Sequence, residues 1–194
     1  MSHRPVTALT CALAALTASA AMADPVPSQT AQAMVFPAGQ IEIARYDLPG
    51  LSEQEINALM TVARSQQFYA AVAYAPDAGI LSEPTVMAAN YHSPDAARSA
   101  ALEGCNGRRS GGSACTLALE VRPAGWESRP VMLSADATTG FLTDFAAAPA
   151  PRALAISAST GQWGIGTGSA AASDAVSACT GGIEVSDCEV VIAD

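Results

Sequence analysis

The sequence predicts an α+β fold built from two ββαβ-like repeats. Each repeat carries an antiparallel sheet, one helix and a local disulfide, and an extra strand and helix precede them. Three observations lead there. Two stretches, 68–121 and 152–194, run through the same order: apolar strand, second strand, alanine-rich helix, cysteine loop, alternating strand. The helices match at identical spacing, Ala97, Ala101, Leu102 and Cys105 against Ala171, Ala175, Val176 and Cys179. After each loop the apolar positions fall at the same offsets. Leu117 and Leu119 follow Cys115 by two and four residues, and Val190 and Ile192 follow Cys188 likewise, the period of a half-buried strand.

The chain opens "MSHRPVTALTCALAALTASAAMAD". His3 and Arg4, an Ala/Leu-rich run and the small-x-small Ala21-Met22-Ala23 predict a signal peptide over 1–23, cleaved before Asp24. The apolar run is shorter than the ~20 residues of a spanning helix, so no membrane insertion is expected after cleavage. Residues 24–39, rich in Pro, Ala and Gln, are expected to be a flexible lead-in. A single α+β domain is expected over 40–194. "QIEIARY" (40–46) alternates as a strand, and Ser52 with Glu55 makes a capping box for a helix to about Arg64. Strands are expected at 68–76 and 84–91, a helix ending near Cys105, and a strand from Cys115. The second copy has strands at 152–159 and 161–169, a helix over 170–179 and a strand from Cys188. Gly107 and Gly181 read as helix stop signals. Between the repeats, a hairpin turned at Thr139-Gly140 is expected, then a Pro/Ala connector.

Removing 1–23 leaves four cysteines, Cys105, Cys115, Cys179 and Cys188. An even number in an exported chain reads as two disulfides, with three possible connectivities. The repeat selects among them. Ala97, Ala101 and Cys105 share one helix face, since four-residue steps drift by only about 40°. The cysteine ending that face meets the first residue of the next strand. Cys105–Cys115 and Cys179–Cys188 therefore staple matching helix-to-strand turns, each stabilising by about 2–3 kcal/mol on the chain-entropy estimate.

At these residues the chain resembles the secreted bacterial family called domain of unknown function 4189, over 68–194. The shared pattern is strand, Gly/Ala/Asn-containing strand, "A…AL..C", loop, and "C" with an alternating strand. The long insert between the repeats departs from it. The resemblance implies a secreted, disulfide-bonded α+β domain, and no catalytic residue transfers.

Composition excludes several chemistries. The chain has nine arginines and no lysine, which rules out a pyridoxal phosphate Schiff base, a P-loop lysine and a Ser-Lys dyad. Arg4 leaves with the signal, and eight arginines against 18 acids give the mature chain a charge of −10. That field repels phosphate backbones, so nucleic acid is not an expected partner. With His92 the one histidine after cleavage, and no H-E-x-x-H, no zinc site is expected, and no cofactor. "GIGTGS" has Ser169 where a dinucleotide fingerprint needs glycine. It reads as a strand whose Gly164, Gly166 and Gly168 permit close backbone packing.

Candidate functional residues are few. His92, near Asp95, is the one candidate acid/base, against a plain strand-end role before the Ser93 cap. Arg108 and Arg109 in "NGRRSGGS" are a candidate anion site, because glycine-rich backbone presents N–H groups, against a solvated loop tip. Trp126 and Trp163 fit a ligand groove or ordinary packing. The expected function is that of an exported, non-enzymatic binding or interaction domain, periplasmic or secreted, whose partner is a protein or envelope component. Two alternatives remain: an envelope hydrolase, which needs paired carboxylates drawn from Glu120, Glu127, Asp136 and Asp144, and an inhibitor presenting the stapled loop.

Overall fold

The computed structural model describes residues 24–181 and 185–194. The expected signal peptide, 1–23, lies outside the described residues. The fold is α+β with two antiparallel sheets, and both disulfides join the expected partners, Cys105 to Cys115 and Cys179 to Cys188.

The first sheet has strand order β1-β4-β2-β3, with β1 at Ile41–Arg45, β2 at Ala70–Tyr74, β3 at Val86–Ala88 and β4 at Thr116–Pro123. Every residue of β2 is buried, because helices cover both of its faces. Helix α3 (Pro94–Arg108) lays Ala97, Ala101 and Cys105 against Ala71, Ala73 and Ala88. Helix α2 (Glu53–Arg64) lays Leu59 and Ala63 against Val72, Leu119 and Val121. The start of α2 is the expected capping box, with the Glu55 N–H donating to Ser52 Oγ and the Ser52 N–H donating to the Glu55 carboxylate. Ser93 caps α3 by accepting from the Ala96 N–H at 3.1 Å.

The second sheet has order β6-β5-β7: β5 at Arg152–Ser157, β6 at Trp163–Thr167 and β7 at Cys188–Ala193. Helix α5 (Ala171–Thr180) covers one face through Ala171, Ala175 and Cys179. The two units share a fine detail. The β2–β4 register slips between Val72, opposite Leu119, and Ala73, opposite Leu117. The β5–β7 register slips between Leu154, opposite Ile192, and Ala155, opposite Val190. Both bulges fall between the second and fourth residues after a cysteine, so the matching offsets in the sequence encode a β-bulge.

Helix and strand approach closely in both units, by opposite means. In the second, Gly164 and Gly166 lie under α5, and a Cβ on either would overlap the backbone of Ala171, Ala175 or Cys179. In the first, the glycine is on the helix. A Cβ on Gly104 would sit 3.2 Å from Val86 Cγ1. By register and helix spacing Val86 corresponds to Gly164, and Gly104 to Ala178. Bulk and its absence have traded places across the interface.

Three sequence expectations are corrected. The lead-in 24–39 is not uniformly flexible. Val26 bridges to Ile192, its N–H donating to the Val191 carbonyl at 2.9 Å, and α1 (Ser28–Gln32) buries Ala31. The outer edge of β7 is thereby covered, as β1 covers β4 in the first sheet. No hairpin forms at Thr139-Gly140. Helix α4 (Ala135–Gly140) runs into a π-helical turn (Phe141–Phe145) that packs Ala137, Phe141 and Phe145 on Leu154 and Ile192. This segment gives the second sheet the rear layer that α2 gives the first. Gly140 sits within it because the Trp163 ring occupies the space a Cβ would take. Finally, Gly107 does not end α3, which runs one residue further, to Arg108. Gly181 does cap α5, in the left-handed conformation at φ 51°.

Candidate functional site

The two units meet at a junction that consumes His92. Its side chain is 3 % exposed. Nδ1 accepts from the Ser134 N–H at 3.0 Å, and Nε2 lies 2.9 Å from the Gln162 carbonyl. An accepting Nδ1 requires the proton on Nε2, so Nε2–H donates to Gln162. Burial pushes the imidazole down from its ordinary 6.5 to about 4, and the Ser134 N–H facing Nδ1 leaves no room for a second proton. Both nitrogens are therefore committed to backbone groups. Asp95 is largely exposed and ion-paired to Arg98, while both His92 nitrogens are taken by backbone groups.

The four carboxylates weighed for a hydrolase are held by different partners. Glu120, 1 % exposed, accepts from Tyr46 Oη at 2.9 Å, Arg98 at 2.5 Å and Arg122 at 3.5 Å. Arg122 also bonds Glu42, holding that carboxyl below its usual range. So saturated, Glu120 ties α3, β1 and β4 together. Glu127 pairs with Arg129 at 3.2 Å, Asp136 accepts from the Asn90 amide at 2.9 Å, and Asp144 accepts from the Thr143 hydroxyl at 3.2 Å. Each of the four is thus engaged by a different partner, and none is hydrogen-bonded to another of the four.

The loop 105–115 is fixed in an unexpected way. Arg109 donates from Nε to Asn106 Oδ1 at 2.9 Å and from one terminal nitrogen to the Gly112 carbonyl at 2.8 Å. Its guanidinium is a strut for the stapled turn. Arg108 is exposed at the end of α3. Both border a cavity of about 200 Å³ that Asp77 and Glu83 also line. Asp77 accepts from the Ser113 N–H at 2.6 Å. Two carboxylates thus face the two arginines, which weakens the pull on an outside anion. Among the described residues, no group of three or more His, Cys, Asp or Glu is placed to hold a metal ion, and no helix is long and apolar enough to cross a membrane.

Neither tryptophan is a free platform. Trp163 packs on Gly140. Trp126 lies under the Arg122 guanidinium, 5.3 Å from its ring centre, with Nε1 buried. The buried Tyr69 hydroxyl is pushed up to about 12, chiefly by burial.

The feature best shaped for a ligand was not visible in the sequence. A cavity of about 480 Å³ opens between the end of α2, the start of β1 and α4, lined by Ile41, Arg64, Gln66, Gln67, Phe68 and Thr139 among others. A second of about 210 Å³ shares Gln66 and Gln67 with it and continues to Asn90 and Asp136. The two adjoin at Gln66 and Gln67, making a groove of two neighbouring cavities along the junction. Asn90 is held at φ 64°, an uncommon conformation for a residue with a side chain. Its amide nitrogen donates to the Asp136 carboxylate, and its Oδ1 accepts from the Asp136 N–H at 3.3 Å. Arg64 and Gln67 are exposed and, among the described residues, have no ion pair or side-chain hydrogen bond. No family model, curated protein or solved structure matches the chain.

Proposed function

We propose that the mature protein is a non-enzymatic binding domain that works in the periplasm or outside the cell, and that the junction groove is its binding site. The groove carries this reading. Its volume suits a small molecule or a short stretch of polymer. Its walls combine an apolar floor at Phe68 and Ile41 with side-chain amides, a hydroxyl and one charge of each sign. The committed nitrogens of His92 and the carboxylates, each engaged by a different partner, support binding over hydrolysis. Two disulfides suit an oxidising compartment, and the signal-like 1–23 supplies the route. Descent of the two ββαβ units from one duplicated ancestor, and kinship with domain of unknown function 4189, belong to the same proposal. They rest on the paired helix patterns and the shared bulge.

The test is an amide-resolved NMR titration of the mature protein with fractionated soluble envelope material, run beside a turnover assay on the same fractions. Shifts focused on Gln66, Gln67, Asn90 and Thr139 with no product are expected. Turnover that disappears in His92→Ala, or on removing a carboxylate, would replace the binding reading with the hydrolase one.

A further inference from the structure

We infer that the junction groove takes a short zwitterionic peptide, its carboxylate at Arg64 and its ammonium group at Asp136. This rests on the proposal that the groove is the binding site. Three observations argue for it.

The first is the placement of charge. Arg64 borders the larger cavity and Asp136 the smaller, and Gln66 and Gln67 lie in the wall common to both. The groove has one cationic and one anionic end, with amide groups between. Arg64 lacks an internal partner among the described residues, and Asp136 is oriented by the Asn90 amide. The second is the chemistry of the middle. Gln66 donates to Ser65 Oγ at 3.1 Å, while the Gln67 amide, exposed beside it, has a donor and an acceptor to offer. A peptide bond presents the complementary acceptor and donor. Phe68, Ile41 and Ala135 form an apolar surface for a small side chain.

The third is the field of the whole molecule. Eight arginines and 18 acids in the mature chain repel a purely anionic ligand, and a purely cationic one would leave Arg64 in the groove wall without a partner. A ligand with both charges is neutral overall and meets neither penalty. Extended peptide spans roughly 3.3–3.6 Å per residue, so a few residues suffice to reach through two adjoining cavities.

The experiment titrates the mature, disulfide-bonded protein with tri-alanine, its N-acetyl form, its C-terminal amide and the doubly blocked form, with amide shifts and calorimetry as readouts. A soluble oligosaccharide serves as a contrasting probe. Free tri-alanine should bind with shifts at Gln66, Gln67 and Asn90, and blocking either end should weaken it at least about fivefold, the scale of one charge-assisted hydrogen bond. Arg64→Gln should erase the preference for a free carboxylate and keep that for a free amine. Asp136→Asn should do the reverse. Both side chains are exposed, so the variants are expected to fold, and the undisturbed remainder of the amide spectrum checks this. Equal binding of the doubly blocked peptide would overturn the zwitterion assignment. Binding of the oligosaccharide alone at the same amides would overturn the peptide class while leaving the groove as the site. Silence of these amides to every probe and to envelope fractions would remove both.

Discussion

Acidification should expose the cost of keeping His92 neutral. In the folded protein burial holds its imidazole at about 4, against 6.5 for the free group. Between those values the unfolded chain binds a proton that the folded chain refuses, so stability falls as pH falls. A depressed folded value means that the contribution is complete above pH 6.5 and is lost as pH drops toward 4. A gap of about 2.5 pH units at 1.36 kcal/mol per unit gives about 3 kcal/mol in full, most of it lost by pH 4.5. The carboxyls of Glu42, Glu55, Asp77, Asp187 and Asp194 are also held below their ordinary values, and their losses begin only at about pH 5, so the fall between pH 7 and 5.5 belongs to the histidine. The assay is urea unfolding at pH 7, 5.5 and 4.5, followed by tryptophan fluorescence. His92→Gln keeps one donor and one acceptor. It should be less stable at pH 7 but much flatter between pH 6.5 and 4.5. A wild-type stability constant to within about 0.5 kcal/mol over that range would refute the argument that His92 is a buried, neutral link between the units.

Three further outcomes are expected. Gly166→Ala should cost about 2–3 kcal/mol or more in chemical unfolding, because its Cβ would run into the α5 backbone, which cannot swing aside as a side chain can. Gly104→Ala should be milder, because the helix gain of up to about 1 kcal/mol from alanine offsets the tight 3.2 Å approach to Val86 Cγ1, and it should be more favourable in a Val86→Ala background, so a double-mutant cycle should show coupling; strict additivity would deny the contact. Arg108→Ala should leave the melting temperature unchanged, whereas Arg109→Ala should lower stability by about 1 kcal/mol and speed proteolysis within 106–114, since only Arg109 bonds the loop carbonyls.

The parts of the fold written in local chemistry were legible in the sequence. The Ser52/Glu55 box set α2, and the small-residue stripe ending in cysteine set α3, α5 and both disulfides. Residues whose conformation depends on distant partners were not. Thr139 and Gly140 look like a turn between strands, but their segment is helical, capped by Ser134 and packed on the distant Leu154 and Ile192, with Gly140 against the Trp163 ring. Phe141 and Phe145, four apart, carry the helical spacing of this segment and pack on the second sheet. Residues 24–39 have the composition of a loose lead-in, but Val26 meets the β7 edge and Ser28 bonds Asp194 at 2.6 Å, 166 positions away. Arg108 and Arg109 look alike in the sequence, and only the path of the loop makes one a strut. The groove was hidden most completely. Its walls come from 38–41, 64–68, 89–90 and 135–139, none with a recognisable motif, and no periodicity links such segments.

The opposite placement of glycine in the two units bears on how the chain avoids assembling wrongly. Two sheets of like order within one chain invite strand exchange, in which β3 joins the second sheet and β6 the first, a common failure of proteins with similar neighbouring units. Here the exchange is blocked on one side and unrewarded on the other. In the second unit, Val86 and Ala88 would occupy the positions where Gly164 and Gly166 admit no Cβ beneath α5. In the first, Gly164 would face Gly104 across an unfilled gap where Val86 now packs. Each helix accepts only its own second strand. The difference between the units at these few positions thus disfavours the exchanged pairing.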